Sequence, residues 1–213
     1  DHRLVSTSPE RFLRLEGRQV ETRPIKGTRP RGSDHQTDRA LADDLLGSAK
    51  DRAENVMIVD LLRNDLSRVC RDHTVNTPEI CVLESYPTVH HLVSTVEGRL
   101  NPDADSVDLL RAAVPGGSIT GAPKIRAMEI IAELEPTFRG PYCGSIGYLS
   151  FTGDMDTSIV IRTYALQGKT VTFQAGGGIV ADSKPASEYE ETLDKARALM
   201  DALGPLESQG GKA

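Results

Sequence analysis

Apolar and polar positions change period several times along this chain. Over residues 3–23, Leu4-Val5-Ser6-Thr7, Phe12-Leu13-Arg14-Leu15 and Gln19-Val20-Glu21-Thr22 are short strand-like runs, and Glu16-Gly17 marks a turn, which predicts a β-meander. Residues 24–34, rich in Gly, Pro and Arg, read as a loop. From about 35 to 49, Leu41, Ala42, Leu45, Leu46 and Ala49 recur at helical spacing. A second helix is predicted over 50–62, where Ala53, Val56, Met57, Val59 and Leu61 cluster, although the same run suits a buried strand. Residues 74–84 and 88–100 read as a pair of strands, and 105–114 as a helix ended by Pro115-Gly116-Gly117. Another helix begins near Pro123, a residue suited to a first turn, carries Ile125, Met128, Ile130, Ile131 and Leu134, and stops before Pro136. Hairpins follow over 142–180, with strands at Gly144–Phe151, Ser158–Leu166 and Thr170–Ala175 and turns at Thr152-Gly153-Asp154 and Gln167-Gly168. A last helix covers about 186–203, and the tail 204–213 is expected to be disordered. With no repeat and no linker, one domain over 1–203 is expected, and the mixed groups of strands and helices predict an α+β fold.

Composition narrows the function. The chain has 213 residues, enough to bury a sizeable core. It is 38% hydrophobic but only 4% aromatic, with no Trp, so Leu, Val, Ile and Ala must build that core. A net charge of −6 lacks the basic field of a nucleic-acid binder and is otherwise ordinary solubility. No apolar stretch approaches the roughly 20 residues that span a bilayer. Cys70, Cys81 and Cys143 make an odd set without metal-ligand spacing, read as reduced thiols in a cytoplasmic protein. The opening Asp1-His2-Arg3 shows no signal peptide and no initiator Met, so a truncated polypeptide is expected.

Two segments carry the candidate chemistry. Pro24-Ile25-Lys26-Gly27-Thr28 sets one lysine beside a glycine that allows close backbone approach. Such a lysine is either an anion clamp or a nucleophile; as a nucleophile its amine must lose its proton, which burial or cations such as Arg29 favour. Glu188, Glu191 and Lys195 share a face of the last helix at i, i+3 and i+7. Two carboxylates there suit a hard cation, and the same spacing suits a solvated face. Asp51 and Glu54 repeat the i, i+3 spacing at the start of the second helix, where Asp51 also suits helix-terminal charge compensation. Gln174-Ala175-Gly176-Gly177-Gly178-Ile179 offers bare amides for an anion, or simply a turn. His90 and His91 face opposite ways on a strand, so one points inward. Ser118 and Thr120 stand before a helix start, fit either to cap it or to reach a ligand. Glu10 follows a Ser-Pro turn; it is an exposed turn residue or, in an apolar pocket, a general acid.

Taken together, these motifs resemble the chorismate-utilising enzymes, from about Ser8 to Ala202. The resemblance rests on Ser8-Pro9-Glu10, Pro24 to Gly32, Ala53 to Leu61, Arg63-Asn64-Asp65-Leu66, His91-Leu92-Val93-Ser94, Gly121-Ala122-Pro123-Lys124, Gly176 to Val180 and Glu188-Tyr189-Glu190-Glu191-Thr192. It implies two antiparallel sheets with outer helices. It implies Mg2+ on Glu188 and Glu191, completed by Glu54 and Asp51, where Asp51 is one methylene shorter than the family's glutamate. It implies substrate carboxylates held by Gly176 and Gly178, and by Arg162 and Tyr142, with Gly27, Thr28, Ser118, Thr120 and Lys195 around them. Glu10 would protonate the leaving hydroxyl, and His91 would lie near it.

Within the family the anthranilate-forming branch usually carries alanine where this chain has Lys26. Lysine there marks the branch that makes 4-amino-4-deoxychorismate. In it the amine is held to attack chorismate and expel the hydroxyl at carbon four, and ammonia then displaces the lysine. Ammonia would come from a glutamine amidotransferase subunit, of which this chain has no signature. The expected function is therefore amination of chorismate for p-aminobenzoate and folate synthesis, with no nucleic-acid or membrane partner. The alternatives are an anthranilate synthase component I, in which Lys26 is a bystander, and an inactive fragment or ligand-binding module.

Overall fold

The structure, a computed structural model, describes residues 1–204. Its elements follow the apolar pattern in order. Strands β1 (His2–Ser6), β2 (Arg11–Glu16), β3 (Gln19–Thr22) and β4 (Ile25–Pro30) lead into helices α1 (His35–Gly47) and α2 (Ala49–Ser67). The carboxylate of Asp34 caps α1 by accepting from the amides of Gln36 and Thr37, and Ser48 caps α2 through the amide of Asp51. Then come β5 (Asn76–Ser85), β6 (Val89–Arg99), α3 (Ser106–Ala113), the single turn α4 (Gly117–Thr120), α5 (Lys124–Leu134), β7 (Ser145–Leu149), β8 (Met155–Ile159), β9 (Thr163–Gln167), β10 (Thr170–Phe173) and α6 (Pro185–Ala202). Among the described residues no helix is long and apolar enough to cross a membrane.

These elements sort into two compact units. Glu10–Ile159 holds a seven-stranded antiparallel sheet centred on β6. One edge of β6 pairs with β5. The other edge takes β3 and β4 end to end, Thr22 opposite Val96 and Ile25 opposite Val93. Between them the Pro24 carbonyl accepts from the Ser94 amide at 3.2 Å. Proline cannot donate to a ladder, so it sits at the joint between strands. The sheet continues from β3 to β2, β8 and β7.

Helix α2 buries Ile58, Val59, Leu62 and Leu66 and lies against β4, β5 and β6, and the sheet's own buried residues include Leu13, Leu15, Val20, Leu92, Val93 and Val96. One polar set is buried there. Asn55 accepts from the Ser94 hydroxyl and donates to the Leu92 carbonyl at 3.3 Å, while Ser94 Oγ accepts from the Cys81 amide at 2.9 Å. Satisfied in this way, it costs little to bury and fixes where α2 sits along β6. Further along α2, buried Asp65 takes the Lys124 ammonium at 2.6 Å, and Lys124 also donates to the Ala113 carbonyl at 3.0 Å. Burial raises the Asp65 pKa and Lys124 pulls against that rise. The pair pins the start of α5 to α2 and α3. The apolar face of α5 is open among the described residues: Ile125 and Leu134 are 69% and 70% exposed.

The other unit is built from Asp1–Pro9 and the chain from Val160 onward. Its sheet is β1-β9-β10, antiparallel throughout. Two side chains of the β9 region hold α6 by its carbonyls: Arg162 Nη1 donates to Lys195 at 2.7 Å and the Tyr164 hydroxyl to Leu199 at 2.5 Å.

The α+β class with antiparallel sheets stands, and four local expectations are corrected. Strand β1 leaves the expected meander for the β9 sheet, because Pro9 interrupts the chain before β2. The expected 24–34 loop is a strand over Ile25–Pro30, because β6 offers it a paired edge. The expected Ser158–Leu166 strand is two strands, broken where Arg162 takes φ +50°. Pro123 is the N-cap of α5 rather than part of its first turn. The expected tail, beyond Gly204, lies outside the described residues.

The β4–β6 ladder steps from Lys26 opposite Leu92 to Thr28 opposite His91, leaving Gly27 as the extra residue of a bulge at φ +80°. A Cβ at Gly27 would stand 2.8 Å from Leu45 Cδ1 and 2.9 Å from Cβ and Cγ of Asp51. Gly27→Ala is therefore expected to lower unfolding stability by roughly 2 kcal/mol, read by urea denaturation, through combined overpacking and backbone strain. Wild-type stability in that variant would show that the bulge is not held against α1 and α2.

Candidate active site

Three expected site residues converge within Glu10–Ile159. Glu10, 8% exposed, begins this unit, and its carbonyl accepts from the Ile159 amide at 3.1 Å. Its carboxyl is hydrogen-bonded to the Ser118 side chain and feels the charge of Lys26. Lys26 Nζ in turn donates to the Ser118 carbonyl at 3.2 Å. Burial pushes the Glu10 pKa above the ordinary carboxyl range, and the Ser118 hydrogen bond and Lys26 hold back part of that rise. A carboxyl poised upward beside an amine is the pairing that proton delivery to a leaving group needs.

Ser118 can serve both partners because α4 packs tightly. A Cβ on Gly117 would stand 2.6 Å from Leu61 Cδ2, and one on Gly116 would stand 2.9 Å from Ile159 Cδ1. The two glycines let this turn lie close against α2 and β8. Thr120 donates back to the Gly116 carbonyl at 2.9 Å, so its hydroxyl has a structural partner within the turn.

The rest of the β4–β6 edge places a second set. Thr28 Oγ1 and His91 Nδ1 are 2.9 Å apart, and the Tyr86 ring centroid lies 5.8 Å from that of His91. The buried histidine is His90, between Ser85 Oγ at 2.7 Å and Asp38 Oδ1 at 3.0 Å. Arg29 Nη2 donates to Asp51 at 3.4 Å, and Arg29 Nε to Asp44 at 2.7 Å. Glu54 lies 3.9 Å from Lys50 Nζ, one turn back on α2. Tyr142 stands beside Cys143 and Arg139, and burial raises its hydroxyl pKa.

The second unit gathers the acidic helix. Glu188 is buried, and its Oε1 accepts from the Ser183 hydroxyl at 2.6 Å. Lys195 Nζ pairs with Glu191 Oε1 at 2.6 Å. Both carboxylates face the glycine run. A Cβ on Gly177 would stand 3.4 Å from Glu188 Oε2 and 3.8 Å from both Glu191 Oε1 and Lys195 Nζ, whereas one on Gly178 would meet nothing within 4 Å. Gly177, rather than its neighbour Gly178, is thus the bare backbone beside the acidic helix. Arg162, which the resemblance assigns to a substrate carboxylate, gives Nη1 to the Lys195 carbonyl, and its own carbonyl accepts from the Thr7 amide and hydroxyl. Among the described residues no three His, Cys, Asp or Glu side chains form a complete metal cluster. Two carboxylate oxygens over a bare backbone still fit magnesium, which is commonly bound by one or two carboxylates plus waters.

The family model described as chorismate binding enzyme matches residues 1–201. The chain belongs to the chorismate binding enzyme family. Within this family it is similar to aminodeoxychorismate synthase component 1 of Salmonella typhimurium, 58% identical over 208 residues, covering 98% of this chain and 45% of that protein. It is also similar to anthranilate synthase component 1 of Pseudomonas putida, 50% identical, covering 100% of this chain and 43% of that protein. Among solved structures, anthranilate synthase component I of Streptococcus pneumoniae superposes with a TM-score of 0.84 at 44% identity, covering 93% of this chain and 44% of that one. The chain thus spans less than half the length of each of these three relatives.

Ser183 was not singled out from the sequence, and Gly177 and Asn55 entered only as members of the 174–179 and 53–61 runs. A serine two residues before Pro185, where the helix starts, was the available signal for Ser183.

Glu10 gives the site a pH signature. Its folded pKa is raised above 4.5, so around and above that pH the folded chain binds the proton more tightly than the unfolded chain. That contribution is present at low pH and is lost as pH rises through the folded value. Glu10→Gln should remove it. The stability of wild type relative to Glu10→Gln, from urea unfolding, should fall as pH rises above 4.5. A difference that stays flat with pH would mean that Glu10 is not held protonated by burial.

Proposed function

We propose that this chain is the catalytic portion, over residues 1–203, of an aminodeoxychorismate synthase component I, converting chorismate and ammonia to 4-amino-4-deoxychorismate. The observation that carries this reading is the Lys26 amine, 3.2 Å from the Ser118 carbonyl and in the field of the buried Glu10 carboxyl. Similarity to aminodeoxychorismate synthases at 56–58% identity supports it.

The residues divide the work as follows. The Lys26 amine, once deprotonated, attacks the substrate ring. Glu10 gives its proton to the hydroxyl at carbon four, which departs as water. The proton shed by the attacking Lys26 nitrogen restores Glu10; ammonia then bonds to carbon four as the bond to Lys26 breaks, and one ammonia proton passes to the departing nitrogen, returning the free amine. Thr28 and His91, bonded to each other, line the same β4–β6 edge. Arg162, Tyr142, Gly176, Gly178, Lys195 and Thr120 bind and orient substrate. Glu188 and Glu191, with Glu54 and Asp51, would hold Mg2+, which supplies neutralisation of a substrate carboxylate when bound. The "component 1" names of the relatives imply a partner component, and a glutamine amidotransferase that delivers the ammonia is the partner proposed. The setting proposed is cytoplasmic p-aminobenzoate synthesis.

The test is product analysis in the full-length protein with chorismate, magnesium and ammonium. Aminodeoxychorismate without pyruvate is expected. Lys26→Ala should abolish it, and Glu10→Gln should lower kcat by roughly 10²–10⁴-fold. Anthranilate and pyruvate from the wild type, or an unchanged product at full rate from Lys26→Ala, would overturn the reading.

A further inference from the structure

We propose that Ser183 is a positioning residue for divalent-cation binding, acting through Glu188. The inference rests on the magnesium assignment above and extends it to a residue outside the carboxylate set. Three observations carry it. The Ser183 hydroxyl donates to Glu188 Oε1 at 2.6 Å. Its oxygen also accepts from the Val180 amide at 3.0 Å, while the Ser183 amide donates to the Val180 carbonyl at 3.0 Å, so the hydroxyl is fixed at both ends. Glu188 is itself buried, with Oε2 turned toward the backbone at Gly177.

One hydroxyl thus occupies one carboxylate oxygen and sets the rotamer that presents the other. Ser183 is in the loop between the glycine run and α6, so it also sets the spacing between Gly177 and the helix that carries Glu188 and Glu191. A carboxylate that must meet a small, octahedral cation gains most from being aimed beforehand, because magnesium tolerates little distortion of its shell. Threonine would keep the donor and acceptor; alanine removes both and leaves a carboxylate without its anchor.

The experiment titrates the full-length protein with Mn2+, with free Mn2+ followed by electron paramagnetic resonance, and competes with Mg2+. Ser183→Ala is expected to weaken Mn2+ binding about tenfold, with Ser183→Thr restoring it. Metal-free thermal midpoints are compared in parallel, and a purely structural role would lower the midpoint while leaving affinity unchanged. Wild-type affinity in Ser183→Ala, with Glu188→Gln still binding weakly, overturns the positioning role and leaves the magnesium assignment standing. Wild-type affinity in Glu188→Gln, or no Mn2+ binding by the wild type, overturns both.

Discussion

Gly27 gives the β4–β6 ladder one residue more on one strand than on the other, and the place of Lys26 depends on that surplus. The extra residue is tolerated because glycine adopts φ +80° and because its missing side chain leaves room for Leu45 of α1 and Asp51 of α2. Helix α2 is in turn set on β6 by the buried Asn55–Ser94 pair. The backbone of Lys26 is therefore specified by strand pairing on one side and by helix packing behind it. The long lysine side chain is left to be fixed at its end, where the Ser118 carbonyl accepts the amine.

The chemistry follows from how two ionisable groups share one small volume. A buried carboxyl alone would simply stay protonated. A nearby ammonium and a hydroxyl pull it back toward ionisation, and the balance for Glu10 remains upward. A proton held on Glu10 can be given to a departing hydroxyl. Asp65 shows the contrast. It too is buried with its pKa raised, but Lys124 contacts it directly at 2.6 Å and also binds a backbone carbonyl, so that pair serves as a brace for α5.

Much of this was legible in the sequence. The first helix after the lysine segment, the β5–β6 pair and the last helix follow from the residue pattern, whereas the α2 run suited a buried strand as well as a helix. The β4 strand was not legible, because its Gly, Pro and Arg content has the composition of a loop and only the paired edge of β6 makes it a strand. Strand alternation required one inward histidine but could not say which; the choice of His90 comes from Asp38 and Ser85 on neighbouring elements. The break at Arg162 is a backbone conformation unusual for any side chain, so no residue type announces it. Helix α5 was found by its period, yet its open face shows that period alone does not say what a face packs against. Ser183 was missed because its role needs a loop that returns it to Glu188, and that loop carries no periodic signal.

The central claim is that the Lys26 amine is the group that bonds to the substrate. The most direct measurement is intact-protein and peptide mass spectrometry of the full-length protein incubated with chorismate and magnesium in the absence of ammonia. The account predicts an adduct of chorismate less one water, localised to Lys26 and discharged when ammonium is added. An unmodified Lys26 under conditions in which the same sample forms aminodeoxychorismate on adding ammonium would contradict it.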